Sequence, residues 1–243
     1  MPNPTAAILI IGDEILSGRT RDANMYHLAG ELTRVGIDLR EVRVVPDDHD
    51  AIVAALNALR ATHDHVFTSG GIGPTHDDIT ADAVAAAFGV GIDVRGDARG
   101  ILEALFARKG IELTETQLRM ARIPDGATLI VNDVSGAPGF SIGNVHVMAG
   151  VPGIFRAMVA VLLPTLRGGT PRVSRERRIE IGEGRIAPQL AAIAAEFPGV
   201  SVGSYPFSEN GVHGTNVVVR GTDSLAVEAA LSRLDEQFPL SAS

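Results

Sequence analysis

The chain has 243 residues, of which 45% are hydrophobic, 21% charged and 4% aromatic. This balance is typical of a folded protein with an aliphatic core, and the length suits one large domain followed by a second, smaller domain. The chain contains no cysteine, which excludes disulfides, thiolate metal sites and a cysteine nucleophile. Its formal net charge of −8 disfavours a nucleic-acid partner, because binding to the phosphate backbone depends on clustered lysine and arginine.

The N-terminus bears on location in the cell. Residues 1–5 carry no basic side chain and lead into a six-residue apolar run, residues 6–11. That run is too short for a signal peptide or a membrane span. We therefore expect a cytoplasmic protein that does not contact a membrane.

The first third of the chain alternates predicted strands and helices. Apolar runs predict strands at residues 6–11, 39–45 and 65–68. Apolar residues at helical spacing predict a helix from about Asp22 to Gly36 and another over residues 52–59. This order predicts a three-layer, doubly wound α/β domain, in which helices cover both faces of a mainly parallel sheet.

The remaining elements predict a second domain. A helix is expected at residues 79–88, helical segments at 97–122, strands at 127–131 and 145–148, and a helix from Pro152 to about 166. Gly168, Gly169 and Pro171 then break the pattern. We therefore predict a domain over residues 1–167 and a smaller α+β domain over residues 172–243, with strands at 177–181, 200–204 and 217–220 and helices at 187–197 and 224–238.

A glycine-rich segment follows the third predicted strand. Residues 69–80 are Ser-Gly-Gly-Ile-Gly-Pro-Thr-His-Asp-Asp-Ile-Thr. The segment joins a parallel strand to a helix expected to start near Asp78, which is where open α/β sheets bind ligands. Glycines allow successive backbone amides to converge on an anion, and the helix adds the positive end of its dipole. We expect a phosphate-binding loop here, with an ordinary strand-to-helix turn as the alternative.

Acidic side chains are concentrated at this edge of the predicted sheet. Asp77 and Asp78 would repel a bare phosphate, so either they cap the following helix or a hard cation such as Mg²⁺ bridges them to the phosphate oxygens. Because the carboxyl ends of parallel strands share one edge, acids from separate strands can face one crevice. The other acidic and small polar residues that could face this crevice are Asp13, Glu14, Asp22, Asn24, Asp47 and Asp48. Of these, Asp22 is also expected to cap a helix.

Histidines near the loop are weaker candidates. His63 and His65 share a face only if the third strand starts early, so a metal pair there has little support. His76 lies inside the loop, where it would either donate to a phosphate or remain a solvent-exposed side chain.

Four ordered motifs resemble those of a known family. Residues 70–80 resemble the GG-hydrophobic-GPT-x-DD-x-T signature of CinA-like proteins, a branch of the molybdopterin-binding-domain family. Residues 12–18, 136–140 and 150–153 resemble further motifs of that family, in the same order. The resemblance covers nearly the whole chain. It implies the three-layer fold shared with enzymes that adenylylate molybdopterin or insert molybdate.

The resemblance also implies site residues and an activity. The acids after the second strand and after the loop are important for chemistry in those relatives, and they correspond to Asp47 and Asp78 here. The CinA-like branch is associated with metal-dependent hydrolysis of pyrophosphate bonds in ADP-ribose and related dinucleotides. We therefore predict that a divalent cation (Mg²⁺, Mn²⁺ or Co²⁺) binds Asp13, Asp47, Asp77 and Asp78. The predicted phosphate-binding residues are Ser69, Gly70, Gly71, Gly73, Pro74, Thr75, Thr80, Gly136, Gly150 and Pro152.

Departures from the family pattern leave alternatives open. Ala149 stands where the family usually has proline, and Ile154 and Phe155 replace an expected Glu-Met pair. These changes favour a module that binds molybdopterin or a nucleotide without turnover. Adenylyl transfer or molybdate insertion is a third hypothesis, against which the form of the loop argues. CinA proteins often carry a further C-terminal amidase domain, for which 243 residues leave no room, so amidase activity is not expected. A homo-oligomer is left open.

Overall fold

The computed structural model describes residues 2–239. It divides into two compact units, Met1–Gly169 and Thr170–Ser243. No helix within the described part of the chain is long and apolar enough to cross a membrane.

A six-stranded sheet forms the centre of the first unit. Its strands are β1 (Thr5–Ile11), β2 (Asp38–Val45), β3 (His65–Ser69), β6 (Thr128–Ile130), β7 (Gly139–Ile142) and β8 (Val145–Met148). They lie in the order β2-β1-β3-β8-β7-β6, in which β2, β1, β3 and β8 are parallel and β7 runs antiparallel to both of its neighbours, β8 and β6. A separate two-stranded ribbon pairs β4 (Ile92–Val94) with β5 (Arg122–Pro124).

Helices cover both faces of this sheet. They are α1 (Asp13–Leu16), α2 (Asn24–Arg34), α3 (His49–Arg60), α4 (Thr80–Phe88), α5 (Gly96–Lys109), α6 (Glu115–Leu118) and α7 (Pro152–Leu162). Successive side chains of β1 point to opposite faces, so Leu9 packs with α3 and α4 whereas Ile8 packs with α2 and α7. Two apolar cores therefore enclose the sheet, which confirms the predicted three-layer, doubly wound α/β fold.

The second unit is smaller and has an antiparallel sheet. Its strands β9 (Val173–Ile179), β10 (Val200–Glu209) and β11 (Val212–Gly221) lie in the order β10-β11-β9. Helices α8 (Glu183–Glu196) and α9 (Ser224–Gln237) share one apolar core with this sheet, including the fully buried Ile186, Val217 and Leu234. The unit is thus the predicted small α+β fold.

Several boundaries differ from the sequence-based predictions. The helix expected near Asp78 begins at Thr80, and its N-cap residue Ile79 has no capping side chain, so neither Asp77 nor Asp78 caps it. Strand β7 was not predicted, because it begins at a glycine and contains only two apolar residues, whereas the equally short β8 contains three. The last helix of the first unit is α-helical only to Leu162 and continues as a 3-10 turn to Thr165.

Candidate functional site

Two glycines give the loop after β3 its shape. Gly70 and Gly71 have φ angles of 113° and 68°, a region that side-chain-bearing residues rarely adopt. A Cβ atom on Gly70 would overlap the carbonyl oxygen of Ile11, and one on Gly71 would overlap the hydroxyl of Thr80. The loop is therefore packed tightly between β1 and α4, and both positions require glycine.

Thr80 fastens the loop to the first turn of α4. Its side chain is fully buried, its hydroxyl donates to the carbonyl of Gly70 at 3.0 Å, and its amide donates to the carbonyl of Gly71 at 3.0 Å. These bonds hold the two carbonyls away from the loop's amides. Thr80 was predicted to bind phosphate, but the structure places it beneath the loop.

Asp78 closes the other end of the loop. Its Oδ2 atom accepts hydrogen bonds from the amide of Thr75 at 2.8 Å and from the hydroxyl of Thr75 at 2.6 Å. A Cβ atom on Gly73 would lie 2.6 Å from the same oxygen, so glycine is needed for this approach too. Arg119 donates to the backbone carbonyl of Asp78 at 3.2 Å. The carboxylate thus stabilises the turn that presents residues 71–73.

The loop borders an open cleft of about 550 Å³ at the carboxyl ends of the parallel strands. This volume is in the range of small-molecule sites. Nine of the predicted site residues line it: Asp47, Gly70, Gly71, Gly73, Pro74, Asp77, Asp78, Gly150 and Pro152. Glu14, which was an acidic candidate, lines it too, and the lining residues that were not predicted are Ile11, Thr20, Ile72, Met120, Ser135, Ala137, Ala149, Val151 and Ile154.

The remaining predicted site residues lie behind the cleft surface or beside it. Ser69 is buried, and Thr75 is exposed but turned to Asp78. Gly136 has a φ angle of 73°, and a Cβ atom there would lie 2.7 Å from the side chain of Leu105, which indicates a packing role. Asp13 supplies its backbone amide, which donates to Oδ2 of Asp47 at 3.0 Å.

The cleft has an anionic side. Burial raises the pKa of Asp47 above its ordinary value, and the neighbouring carboxylates Asp13, Glu14 and Asp77 raise it further, against the opposing effect of the Asp13 amide. Among the described residues that line the cleft there is no lysine, arginine or histidine. The lining of the cleft itself therefore holds no cation to offset these carboxylates, whereas Arg119 and Arg122 line a smaller pocket that shares Gly71, Gly73 and Asp78 with it.

The carboxylates do not form a ready-made metal cage. Within residues 2–239, no group of three or more His, Asp or Glu side chains is arranged to hold a metal ion. Magnesium sites often use one or two carboxylates and complete their coordination with water and ligand phosphates. The donor set here, which is carboxylate oxygen beside a glycine-rich loop, has the chemistry of that kind of site.

Comparisons with known proteins identify the family. The profile described as "Probable molybdopterin binding domain" matches residues 7–168, and the crystal structure of CinA from Thermoplasma acidophilum, itself of unknown function, is 33% identical. That structure covers 67% of this chain, which in turn covers 97% of it, with a TM-score of 0.61. The chain belongs to the molybdopterin-binding-domain family, in its CinA-like branch.

Curated relatives support the same assignment and show its extent. A CinA-like protein of Desulfosudis oleivorans is 34% identical over 82% of this chain, and a protein of Pyrobaculum calidifontis is 35% identical over 84%. This chain covers 51% of the first relative and 81% of the second, so it spans about half the length of the CinA-like protein that it matches. Residues 171–242 match the middle domain of FAD synthase.

Two departures from the CinA-like pattern lie in the cleft itself. Ala149 and Ile154 both line it, so the residues that replace the expected proline and glutamate face the ligand space. Of the weaker candidates, His76 is fully exposed, with its Nδ1 atom 3.9 Å from Asp77. His65 lies at the start of β3, at the opposite edge of the sheet from the cleft.

Some lining residues could have been found from the sequence. Ser135 and Ala137 flank Gly136, and Glu14 was already among the acidic candidates because it follows Asp13 in the first motif. Met120 carries no such signal, because it lies in a 3-10 turn far from any motif in the sequence. Its place in the cleft follows only from the tertiary fold.

Proposed function

We propose that the cleft binds a phosphate-bearing small molecule, a nucleotide or a pterin, and hydrolyses a pyrophosphate bond of the ADP-ribose or FAD type with the help of a divalent cation. The observation that carries the proposal is three successive free amides. No protein acceptor within residues 2–239 contacts the backbone N–H groups of Gly71, Ile72 or Gly73, and all three residues line the cleft. Unpaired amides at successive positions of a loop are suited to phosphate oxygens.

The charge of the cleft argues for a cation beside the phosphate. Four carboxylates line the cleft, and a diphosphate would meet their repulsion with no basic side chain in that lining to offset it. We assign the cation to Asp47, Asp77 and Asp78, with Asp13 positioning Asp47 through its amide. A bound divalent cation would neutralise charge on the phosphate oxygens and lower the pKa of water.

The residues of the chain then have distinct parts in the reaction. The loop amides bind the diphosphate, and Asp78 holds the loop closed through Thr75. In hydrolysis, a water oxygen forms a bond to one phosphorus and the bridging P–O bond breaks, which yields two phosphomonoesters and a proton. That proton is released to solvent, because Asp47, Asp77 and Asp78 are assigned to the cation.

A panel assay tests the proposal. ADP-ribose, FAD, NAD and adenylylated pterin would be incubated with the protein and Mg²⁺, Mn²⁺ or Co²⁺, and release of monophosphates measured by chromatography. We expect turnover of at least one dinucleotide that disappears with EDTA. Binding of ADP-ribose in calorimetry without turnover under any metal would contradict the hydrolase and leave the binding function. Absence of binding by every compound would contradict both.

A non-catalytic carrier is the second candidate, and one observation favours it. Ile154 lies in the cleft where relatives of this branch are expected to have glutamate, so one acidic group is missing from the ligand space. Ile154→Glu would restore it. If the wild-type protein binds without turnover and Ile154→Glu gains metal-dependent hydrolysis, the carrier is established and its cause identified.

A further inference from the structure

A small side pocket adjoins the cleft and has a different chemistry. It has a volume of about 60 Å³ and shares Ile11, Glu14, Thr20, Gly150 and Pro152 with the lining of the cleft. Asn24 and Ser69 line only the side pocket. We call it the Asn24 pocket. Its volume accommodates a few water molecules or one small polar group.

Asn24 is buried and only partly satisfied. It lies at the start of α2 with 3% of its surface exposed. Its Nδ2 atom donates to the hydroxyl of Ser69 at 2.8 Å and to the carbonyl of Gly150 at 2.7 Å, so both amide hydrogens are used. Because a carbonyl can only accept, the bond to Gly150 fixes the orientation of the amide. Its Oδ1 atom is buried and has no hydrogen-bond partner in the described part of the chain.

A buried acceptor without a partner is uncommon in folded proteins and often marks a place that a ligand or a water completes. Here the acceptor belongs to a side chain that lines a pocket beside the proposed phosphate loop. The neighbouring hydroxyl of Ser69 adds a second polar group. The pocket therefore suits a group that carries an N–H donor next to an acceptor.

The charges around the pocket argue against a phosphate in it. The carboxylates of Glu14 and Asp22 line it together with one cation, Arg21. Asp22 is committed to the amide of Met25, to which it is bonded at 2.9 Å. An anion would meet an acceptor oxygen and two carboxylates, whereas a neutral N–H group would meet a complementary acceptor.

We propose that the Asn24 pocket binds the N–H-bearing edge of the ligand's nitrogen heterocycle while the phosphates lie on the loop of residues 71–73. The proposal rests on the proposed function, since it assigns the base or pterin end of the same ligand. An amino group beside a ring nitrogen, or a lactam N–H beside its carbonyl, has the required donor and acceptor. Asn24 thereby selects heterocycles that present an N–H donor over those that present only acceptors.

Three nucleoside diphosphates that differ at one ring edge test the selection. ADP has an amino donor, IDP has a lactam donor, and purine riboside 5′-diphosphate has neither. Titration calorimetry with Mg²⁺ should show that the wild-type protein binds ADP or IDP at least about tenfold more tightly than purine riboside 5′-diphosphate, as expected when a buried acceptor is left unpaired. Asn24→Ala should abolish that ratio and leave the affinity for purine riboside 5′-diphosphate within about threefold.

Two further variants make the result decisive. Asn24→Ser keeps a small polar side chain at the start of α2 but places no amide oxygen in the pocket, so it replaces Asn24→Ala if that variant fails to fold. Asn144→Ala is the matched control, because the side-chain amide of Asn144 likewise donates two hydrogen bonds, to the backbone carbonyls of Arg60 and His63, far from the cleft at the other end of the strands. It should keep the wild-type ratio.

The outcomes separate this proposal from the one on which it rests. Equal wild-type affinity for all three diphosphates would overturn the Asn24 pocket alone and mean that water satisfies Asn24. A wild-type preference that survives in both Asn24 variants would also overturn it. Failure of the wild-type protein to bind any diphosphate, with or without Mg²⁺, would overturn the phosphate site and the Asn24 pocket together.

Discussion

The Nδ1 atom of His65 lies 3.3 Å from the Nε2 atom of His146, at the amino-terminal ends of β3 and β8 and away from the cleft. The other ring nitrogen of His146 lies 2.9 Å from the hydroxyl of Ser141, and both rings pack near Phe67. Burial, with a smaller contribution from the charge of His65, lowers the pKa of His146 to about 3. Burial likewise lowers the pKa of His65. Both rings are therefore neutral in the folded protein at neutral pH.

This pair makes the fold sensitive to acid. The unfolded protein binds a proton on His146 near pH 6.5, whereas the folded protein resists it, so stability is present above pH 6.5 and is lost as the pH falls toward 3. We expect the free energy of unfolding to fall by up to about 1.4 kcal/mol per pH unit from this group alone. His146→Phe should flatten the decline in urea denaturation between pH 7 and pH 4.5. His76→Phe, which replaces a fully exposed histidine, is the control and should follow the wild-type curve.

Asp47 makes the stability of the fold depend on pH in the opposite direction. Its pKa is raised in the folded protein, so the folded state binds the proton more tightly, and the ionised carboxylate destabilises the fold once the pH exceeds its pKa. Asp47→Asn keeps an oxygen that can accept from the amide of Asp13 and removes the charge. We expect its melting temperature to exceed that of the wild type at pH 7 and to match it near pH 3, in thermal melts without metal.

A cation should reverse this difference. If Asp47 holds Mg²⁺, about 10 mM MgCl₂ should raise the melting temperature of the wild type more than that of Asp47→Asn. Asp48→Asn is the matched control, because Asp48 caps α3 through the amide of Ala51 and asparagine caps a helix equally well. An equal response to Mg²⁺ in wild type and Asp47→Asn would argue against a metal on Asp47.

How far the sequence could predict this molecule depends on the apolar pattern of each element. Strand β1 and helix α3 were predictable, since each has a long apolar pattern that decides its type. Strand β7 was not, because it has only two apolar residues after a glycine and its place is fixed by pairing with β8. The helix start at Thr80 was misplaced because acids at residues 77–78 suggest a cap, whereas Asp78 bonds backward to Thr75.

The candidate site shows the same limit. Acids that follow parallel strands could be assigned to one edge, and Asp47 and Asp78 do line one cleft. The direction of each side chain could not be assigned, so Thr80 was grouped with the ligand residues although its hydroxyl lies under the loop. Asn24 was noted only as a polar residue after a strand. Its unpaired oxygen depends on Ser69 and Gly150, which are distant in sequence.

Gly71 offers a test of the loop. Alanine there would be strained by the φ angle of 68° and would overlap the Thr80 hydroxyl, so it should distort the loop rather than block the cleft. We expect Gly71→Ala to lower the free energy of unfolding by about 1–3 kcal/mol and to weaken ADP binding at least about tenfold. Gly153→Ala is the matched control: a Cβ atom meets nothing within 4 Å in helix α7, so this variant should be neutral or slightly stabilising. Unchanged ADP affinity in Gly71→Ala would remove the loop from the site.

The connection between the two units can be tested by proteolysis. The amide of Gly169 donates to the carbonyl of Val35 at 3.0 Å, and a Cβ atom on Gly168 would overlap that carbonyl, so these glycines are held against the end of α2. Cleavage should therefore fall after Gly169, within residues 170–173. Limited digestion with subtilisin, followed by mass spectrometry, should give two stable fragments. An earlier cut within residues 80–150 would contradict the predicted boundary.

Asp78 separates a hydrolase from a carrier. One oxygen of its carboxylate accepts both hydrogen bonds from Thr75, so Asp78→Asn can keep the turn through its own amide oxygen while losing the charge. If Asp78 holds a catalytic cation, dinucleotide hydrolysis with Mg²⁺ should fall by at least about 100-fold. Affinity for ADP without metal should stay the same or increase, because one source of repulsion toward phosphate is gone.

Three measurements on the same preparation make this prediction decisive. A thermal melt shows whether Asp78→Asn is folded, calorimetry measures ADP binding without metal, and chromatography measures turnover of ADP-ribose with Mg²⁺. Asp93→Asn is the control for a change of one charge at an exposed position, and all three of its values should match the wild type. Full turnover in a folded Asp78→Asn protein would exclude Asp78 from catalysis. Tight binding of ADP-ribose with no turnover in either wild type or variant would instead establish the carrier, since removing the charge then changes nothing that the cleft does.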